Sequence, residues 1–95
     1  MKIEKNVDGG RLTLVLEGRV DTITAPELEG ALSYDGVEEL VFDLAGVDYI
    51  SSAGLRVLLS AQKKMMGKSM KIANARPPVM EVFDITGFSS IFTFV

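Results

Sequence analysis

Segments of strand periodicity alternate with segments of helical periodicity along this chain, and this alternation most limits the folds that it can adopt. In "RLTLVLEG", Leu12, Leu14 and Leu16 recur at every second position, which is the spacing of a half-buried strand. After residue 53, apolar side chains recur instead at intervals of three and four residues, as in an amphipathic helix. Strands separated by helices pair in parallel through right-handed crossovers. The sequence therefore predicts an α/β fold.

The predicted order of elements is β-β-α-β-α-β-α-β. "DGG" at 8–10 predicts a tight turn, so the first two strands form an antiparallel hairpin, and Gly18 is expected to end the second strand. The chain is expected to form a single domain over residues 1–95. Its sheet is predicted to be mixed and mostly parallel, with about five strands and the first one antiparallel at an edge. The predicted strands cover residues 2–8, 11–17, 38–44, 70–74 and 91–95.

The first helix is predicted from a helix-start pattern in "ITAPELEGAL". Thr24 and Glu27 have the spacing of a capping box, and Pro26 falls in the first turn, where its missing N–H costs nothing. Ile23 and Leu28 have the spacing of a hydrophobic staple. We expect this helix to be short, because a glycine in its middle weakens it.

Two further helices are predicted after the third and fourth strands. The second helix runs from about Ala53 to Met66, with Gly67 as a left-handed cap. The third helix begins at Pro77–Pro78 and is closed by Gly87. The predicted apolar face of the second helix consists of Leu55, Leu58, Leu59, Gln62 and Met66.

Composition excludes several kinds of chemistry. The sequence has no cysteine and no histidine, so disulfides, catalytic thiols and imidazole bases or metal ligands are impossible. Ten basic residues against thirteen acidic ones give a net charge of -3, which is a poor match for nucleic acid. No apolar run is long enough to span a membrane, and the N-terminus lacks a signal-peptide core. We therefore expect a cytoplasmic protein that does not bind nucleic acid.

The loops that follow the parallel strands, at 18–24, 45–53 and 74–78, are predicted to meet along one edge of the sheet. One interpretation of Asp21 and Asp48 is a catalytic carboxylate pair, but aspartates in loops more often form turns. The chain has no dinucleotide or phosphate-binding glycine motif. We therefore expect a binding protein without catalytic activity, metal or cofactor. The polar residues of these loops are Asp21, Thr22, Asp48, Ser51, Ser52 and Asn74.

Spacing alone leaves two compatible interpretations of the serines in "YISSAGL". One serine is the N-cap of the second helix, where replacement by alanine costs about 1 kcal/mol. A serine there is also an exposed hydroxyl, and a phosphate on it would meet free backbone N–H groups and the positive end of the helix dipole. Geometry favours Ser52 for the phosphate, with Ser51 capping or bracing the loop. Gly54 either allows close packing of the helix or exposes backbone to a partner.

The segment "LVFDLAGVDYISSAGLRVLLSA" (40–61) resembles the signature of STAS domains, the family of bacterial anti-sigma factor antagonists. "LEGRVDTITAPEL" and "MKIANARPPVMEVFDITGFSSIF" resemble the flanking parts of the same family, so the resemblance covers nearly the whole chain. It implies a STAS-like fold and a partner switch. In such a switch, the unmodified antagonist binds an anti-sigma factor of the serine kinase type, the kinase phosphorylates one serine, and a serine phosphatase restores it. By position in the motif, the acceptor is Ser52, and a family aspartate matches Asp21.

The implied partner-binding surface includes the predicted loops at 18–24 and 45–53 and the start of the second helix. Gly54→Arg is expected to abolish binding while leaving the thermal midpoint nearly unchanged. The motif departs from the usual Asp-Ser-Ser/Thr-Gly of the family, with Ser51 in place of the aspartate and Ala53 in place of the second hydroxyl. The alternative is therefore a STAS assembly subunit that is not phosphorylated, for example in a lipid-transport or stress-sensing complex. Either protein is expected to be a monomer or weak dimer. The implied partner-binding residues are Asp21, Thr22, Ser51, Ala53, Gly54 and Arg56.

Overall fold

The sheet has five strands that lie side by side in chain order, in a computed structural model that describes residues 1–95. The strands are β1 (Lys2–Asp8), β2 (Arg11–Val20), β3 (Glu39–Ile50), β4 (Ser69–Ala73) and β5 (Thr93–Phe94). β1 pairs antiparallel with β2, whereas β2, β3, β4 and β5 pair in parallel. The predicted mixed sheet with an antiparallel edge strand is confirmed.

Three helices connect the parallel strands: α1 (Ala25–Ala31), α2 (Ser52–Lys64) and α3 (Pro77–Thr86). Each helix joins two neighbouring strands and the strand order never reverses, so right-handed crossovers place all three helices on the same face of the sheet. Between the helices and that face lies a core of 22 buried apolar residues, with no buried polar or charged residue. Alternate residues of the strands, such as Leu14, Phe42 and Ile72, point into this core and are fully buried.

Strands β2 and β3 run further than the sequence predicted. β2 continues through Gly18 to Val20, and β3 continues past residue 44 to Ile50. Two register shifts in their pairing keep the strands together until Val20 lies opposite Ile50. Gly18 has a φ of +104°, so it accommodates an irregularity in a continuing strand. The expectation that Gly18 ends β2 is therefore wrong, and much of the predicted loops at 18–24 and 45–53 is strand.

The predicted capping of α1 is also wrong, although α1 is short, as expected, at seven residues. Thr24 occupies the N-cap position but its side chain makes no capping hydrogen bond. Its hydroxyl instead donates to the backbone carbonyl of Arg19 at 2.8 Å and accepts from the backbone N–H of Asp21 at 2.8 Å. Ile23 is 87% exposed and therefore cannot form a staple with the buried Leu28.

The ends of α2 and α3 lie close to their predicted positions, but the predicted left-handed cap at Gly67 is wrong, because Met65, with a φ of -93°, is the C-cap of α2. α3 begins at Pro77, and Gly87 closes it in the left-handed conformation with φ +79°, as predicted. At the end of α2, Met65 is buried while Met66 is 82% exposed, so the predicted apolar face is wrong at its last position. The last strand is shorter than the predicted 91–95, because only Thr93 and Phe94 pair with β4.

Candidate functional site

The candidate site lies where β2 and β3 end side by side. The backbone N–H of Ser51 donates to the carbonyl oxygen of Val20 at 2.8 Å, which holds the start of α2 against the end of β2. The loop between β2 and α1 therefore lies next to the first turn of α2. This arrangement brings together most of the residues that the resemblance implicated: Asp21, Thr22, Ser51, Ser52 and Ala53.

Asp21 organises the loop between β2 and α1. One carboxylate oxygen, Oδ1, accepts hydrogen bonds from the backbone N–H groups of Ile23 and Thr24, each at 3.0 Å. The other, Oδ2, lies 3.5 Å from Nε of Arg19. The hydrogen bond from the Thr24 N–H is the main reason that the pKa of Asp21 is lowered, with further contributions from Ile23, the Thr24 hydroxyl and Arg19. Asp21 thus stays ionised and fixes the shape of the loop.

Asp48 does not form a carboxylate pair with Asp21. It lies within β3 rather than in a loop, and its side chain is exposed. Each hydrogen bond and ion pair of Asp21 is made within its own loop or to Arg19. The catalytic-pair hypothesis therefore has no support from the geometry.

Asn74 lies away from the site, so the prediction that loop 74–78 contributes to it is wrong. Pairing between β3 and β4 stops where Ala73 lies opposite Asp43, and the side-chain amide of Asn74 donates to Oδ1 of Asp43 at 3.2 Å. β3 then continues for several residues to Ile50. At about 3.3 Å per residue, this places Asn74 roughly 20 Å from the end of β3.

The two serines have different structural roles. Ser51 is the N-cap of α2, and its Oγ accepts a long hydrogen bond of 3.4 Å from the N–H of Gly54. Ser52 is the first residue within the helix, and its side chain is exposed. The backbone N–H groups of Ser52 and Ala53 precede the first intrahelical hydrogen bond, which the N–H of Leu55 donates to the carbonyl of Ser51 at 2.9 Å. An exposed hydroxyl thus stands beside free donors at the positive end of a helix.

Gly54 is a packing residue. It is buried, and a Cβ atom at this position would lie 2.7 Å from Cγ1 of Val20, 2.8 Å from Cγ1 of Ile50 and 3.0 Å from the carbonyl oxygen of Val20. Only the absence of a side chain lets α2 approach the ends of β2 and β3 this closely. The expectation that Gly54→Arg leaves the thermal midpoint unchanged is therefore wrong, and a buried Gly54 offers a partner no exposed backbone.

Gly54→Ala is expected to lower the free energy of unfolding by about 1–3 kcal/mol, because the new methyl group must displace Val20 or Ile50. Gly30→Ala is the matched control, since Gly30 is also helical and its added Cβ would meet no atom within 4 Å. That control is expected to raise stability by about 0.5–1 kcal/mol. Urea denaturation of both variants measures the effect, and equal stability of the two would contradict this account of Gly54.

A shallow groove between α1 and α2, here called the α1–α2 groove, opens beside the first turn of α2. Arg56 lies on its α2 side and Glu29 on its α1 side, and both side chains are exposed. The contribution of α1 was not predictable from the sequence, because local patterns do not reveal how two helices lie relative to each other. The groove is lined by Thr22, Ala25, Pro26, Glu29, Ala53, Arg56, Val57 and Ser60.

Two exposed apolar side chains border the site. Ile23 is 87% exposed in the loop that Asp21 organises, and Tyr49 is 40% exposed near the end of β3. The guanidinium of Arg19 stacks over the Tyr49 ring, 4.3 Å from its centre. The sequence predicted that Ile23 forms a hydrophobic staple, and its exposure shows that it does not. Together these residues give the site an apolar margin suited to contact with another protein.

The chemical groups of the site are suited to binding and to modification. The protein has no group of three or more carboxylate, histidine or cysteine side chains placed to hold a metal ion. Its helices lack the combination of length and apolar character that crossing a membrane demands. Of the two serines at the start of α2, Ser52 presents the exposed hydroxyl.

Comparison with known proteins gives a consistent match over the full length of the chain. The family model described as the STAS domain matches residues 2–95. BtrV of Bordetella bronchiseptica, described as a candidate anti-sigma factor antagonist, is 39% identical over 97% of this chain and 84% of its own length. The anti-sigma-B factor antagonist of Listeria monocytogenes is 30% identical over 92% of this chain and 81% of its own length.

A solved structure of an anti-sigma factor antagonist from Mycobacterium paratuberculosis has a similar fold. Its TM-score against this chain is 0.87 at 28% identity, and the match covers 98% of this chain and 83% of the other. The fold and the order of elements described above are therefore shared with that structure.

Proposed function

Because the chain belongs to the STAS domain family, we propose that it is an anti-sigma factor antagonist whose binding is switched off by a phosphate on Ser52. The relatives described above are named as anti-sigma factor antagonists. The observation that carries the phosphate assignment is the difference between the two serines. Ser51 is engaged as the helix cap, whereas Ser52 presents a free, exposed hydroxyl at the start of α2.

The proposed binding surface consists of the loop between β2 and α1 and the first turns of α2. Asp21 holds the loop in shape and Ser51 caps the helix, so both support this surface through hydrogen bonds within the protein. Thr22, Ala53 and Arg56 line the adjacent groove, and we expect them to contact the partner directly. Gly54 supports this surface by letting α2 pack closely.

A phosphate on Ser52 would act on this surface through charge and hydration. It adds about -1.5 to -2 charges near neutral pH, to a chain whose net charge is already -3. An interface that covers the start of α2 would have to desolvate this group close to the carboxylate of Asp21. Repulsion and desolvation both oppose complex formation, so no large conformational change is required.

Two other proteins operate the proposed switch. The partner is an anti-sigma factor of the serine kinase type, and a serine phosphatase restores the unmodified form. Such a switch operates in the cytoplasm, and it assigns no catalytic step to this chain. Ser51 stands where the family usually has an aspartate, and Ser52 keeps the position of the acceptor hydroxyl.

Incubation of the protein with its anti-sigma factor kinase and ATP is expected to place one phosphate on Ser52. Mass spectrometry of the peptide that contains both serines measures the position. Ser51→Ala is the matched control, and it is expected to remain a substrate because the hydroxyl of Ser52 is unchanged. Phosphate on Ser51 would contradict the assignment, and absence of phosphate from both serines would favour the assembly-subunit alternative.

A further inference from the structure

Arg56 lies one helical turn after Ser52 on α2. Residues four positions apart on a helix are neighbours on its surface, with Cβ atoms about 5–6 Å apart. Arg56 is exposed, and its guanidinium takes part in none of the five ion pairs of the protein. The helix therefore carries a free cation within reach of the hydroxyl of Ser52.

The other arginine near the site is already engaged. Arg19 contacts the carboxylate of Asp21 at 3.5 Å and stacks on the ring of Tyr49. These contacts tie Arg19 to the loop between β2 and α1 and to β3, so binding of a phosphate by Arg19 would break both of them. Arg56 faces Glu29 across the α1–α2 groove but makes no ion pair with it. Arg56 is thus the cation that can turn toward Ser52 without loss of an existing contact.

We propose that the phosphate on Ser52 is captured by the guanidinium of Arg56 within the same helix, so that phosphorylation also withdraws Arg56 from the partner. This inference rests on the proposed function in taking Ser52 as the acceptor. Guanidinium groups match phosphate oxygens in geometry and form strong charge-assisted hydrogen bonds with them. An anionic group on the N-terminal side of a cation at i+4 is the favourable order, because it also matches the helix dipole.

Capture by Arg56 makes the switch act on two charges at once. The unmodified surface offers a partner a free cation at the mouth of the α1–α2 groove. After phosphorylation, the same surface offers the phosphate on Ser52, which keeps a net negative charge. Its counter-ion is the guanidinium of Arg56 in the same helix. A partner with an acidic contact opposite Arg56 would then lose its attraction and also face repulsion.

The test is a pH titration of phosphoserine installed at position 52 during translation, followed by phosphorus NMR. The second pKa of this phosphate, ordinarily about 6, is expected to be lower in the protein with Arg56 than in Arg56→Gln, by about 0.2–0.7 of a pH unit. Arg76→Gln is the matched control, since it removes the same charge from an exposed position at the start of α3. It is expected to leave this pKa unchanged.

Equal pKa values in the Arg56 and Arg56→Gln proteins would overturn the inference, as would an equal effect of Arg76→Gln. The phosphate is installed without a kinase, so this result is independent of whether the cellular kinase modifies Ser52. Failure of the kinase to modify Ser52 would count against the proposed function, whereas failure of the titration would count only against capture by Arg56.

Discussion

Replacement of Ser52 by aspartate is expected to weaken binding of the anti-sigma factor about 5- to 150-fold, which is the usual range of regulatory coupling. The new carboxylate places a negative charge at the first position of α2, within the proposed interface. The fold is expected to remain intact, since the Ser52 side chain is exposed and an acidic residue suits the first turn of a helix. A pull-down with the anti-sigma factor, followed by isothermal titration calorimetry, measures the change in affinity.

Two control variants test whether the loss of binding depends on where the new charge lies or only on its presence in the protein. Ser33→Asp adds the same charge between α1 and β3, at the opposite end of the sheet from the start of α2, and is expected to bind like the unmodified protein. Ser52→Ala is expected to bind without regulation and to keep its stability, because Ser51 rather than Ser52 is the cap. Equal weakening by Ser33→Asp and Ser52→Asp would contradict the proposed location of the interface.

Replacement of Phe83 by alanine is expected to lower the free energy of unfolding by about 3–5 kcal/mol. Phe83 is fully buried on α3, and its ring meets those of Phe92 and Phe94 edge-on, with centroid distances of 5.7 and 5.2 Å. Removing it leaves a cavity between α3 and the last strand. A domain of this size has only about 5–15 kcal/mol of stability in total, so the loss is large.

Urea denaturation of Phe83→Ala and of Ile85→Ala provides the comparison. Ile85 lies on the same helix and is 77% exposed, so its replacement is expected to change stability by less than about 0.5 kcal/mol. If Phe83→Ala does not fold, Phe83→Leu, which retains most of the volume, serves in its place with a smaller loss. Similar losses at positions 83 and 85 would contradict the described packing of α3.

The elements of the fold were predictable where local signals determine them. The turn at 8–10, the proline start of α3 and its left-handed Gly87 are local features, and each lies where the sequence placed it. The lengths of β2 and β3 were not predictable, because the register shifts that extend their pairing arise from contacts between the two strands. Thr24 likewise looked like a cap because its competing contacts with Arg19 and Asp21 are invisible in the helix-start pattern.

The candidate site was predictable in part for the same physical reasons. The adjacency of Asp21 and the serines follows from parallel strands that end together, and the structure shows this adjacency. Asn74 was misplaced because β3 extends beyond β4, a difference in strand length that the apolar patterns do not reveal. The role of Gly54 depends on atoms of Val20 and Ile50 that lie within 3 Å of the position that a Cβ atom on Gly54 would occupy. Only the packed structure brings these atoms there.

The most direct test of the central claim is calorimetric titration of the anti-sigma factor with the unmodified protein and with protein carrying phosphoserine at position 52. The unmodified protein is expected to bind, and the phosphorylated protein is expected to bind at least fivefold more weakly. Treatment with a serine phosphatase is expected to restore the original affinity. Equal affinity of the two forms for the anti-sigma factor would contradict control of binding by a phosphate on Ser52.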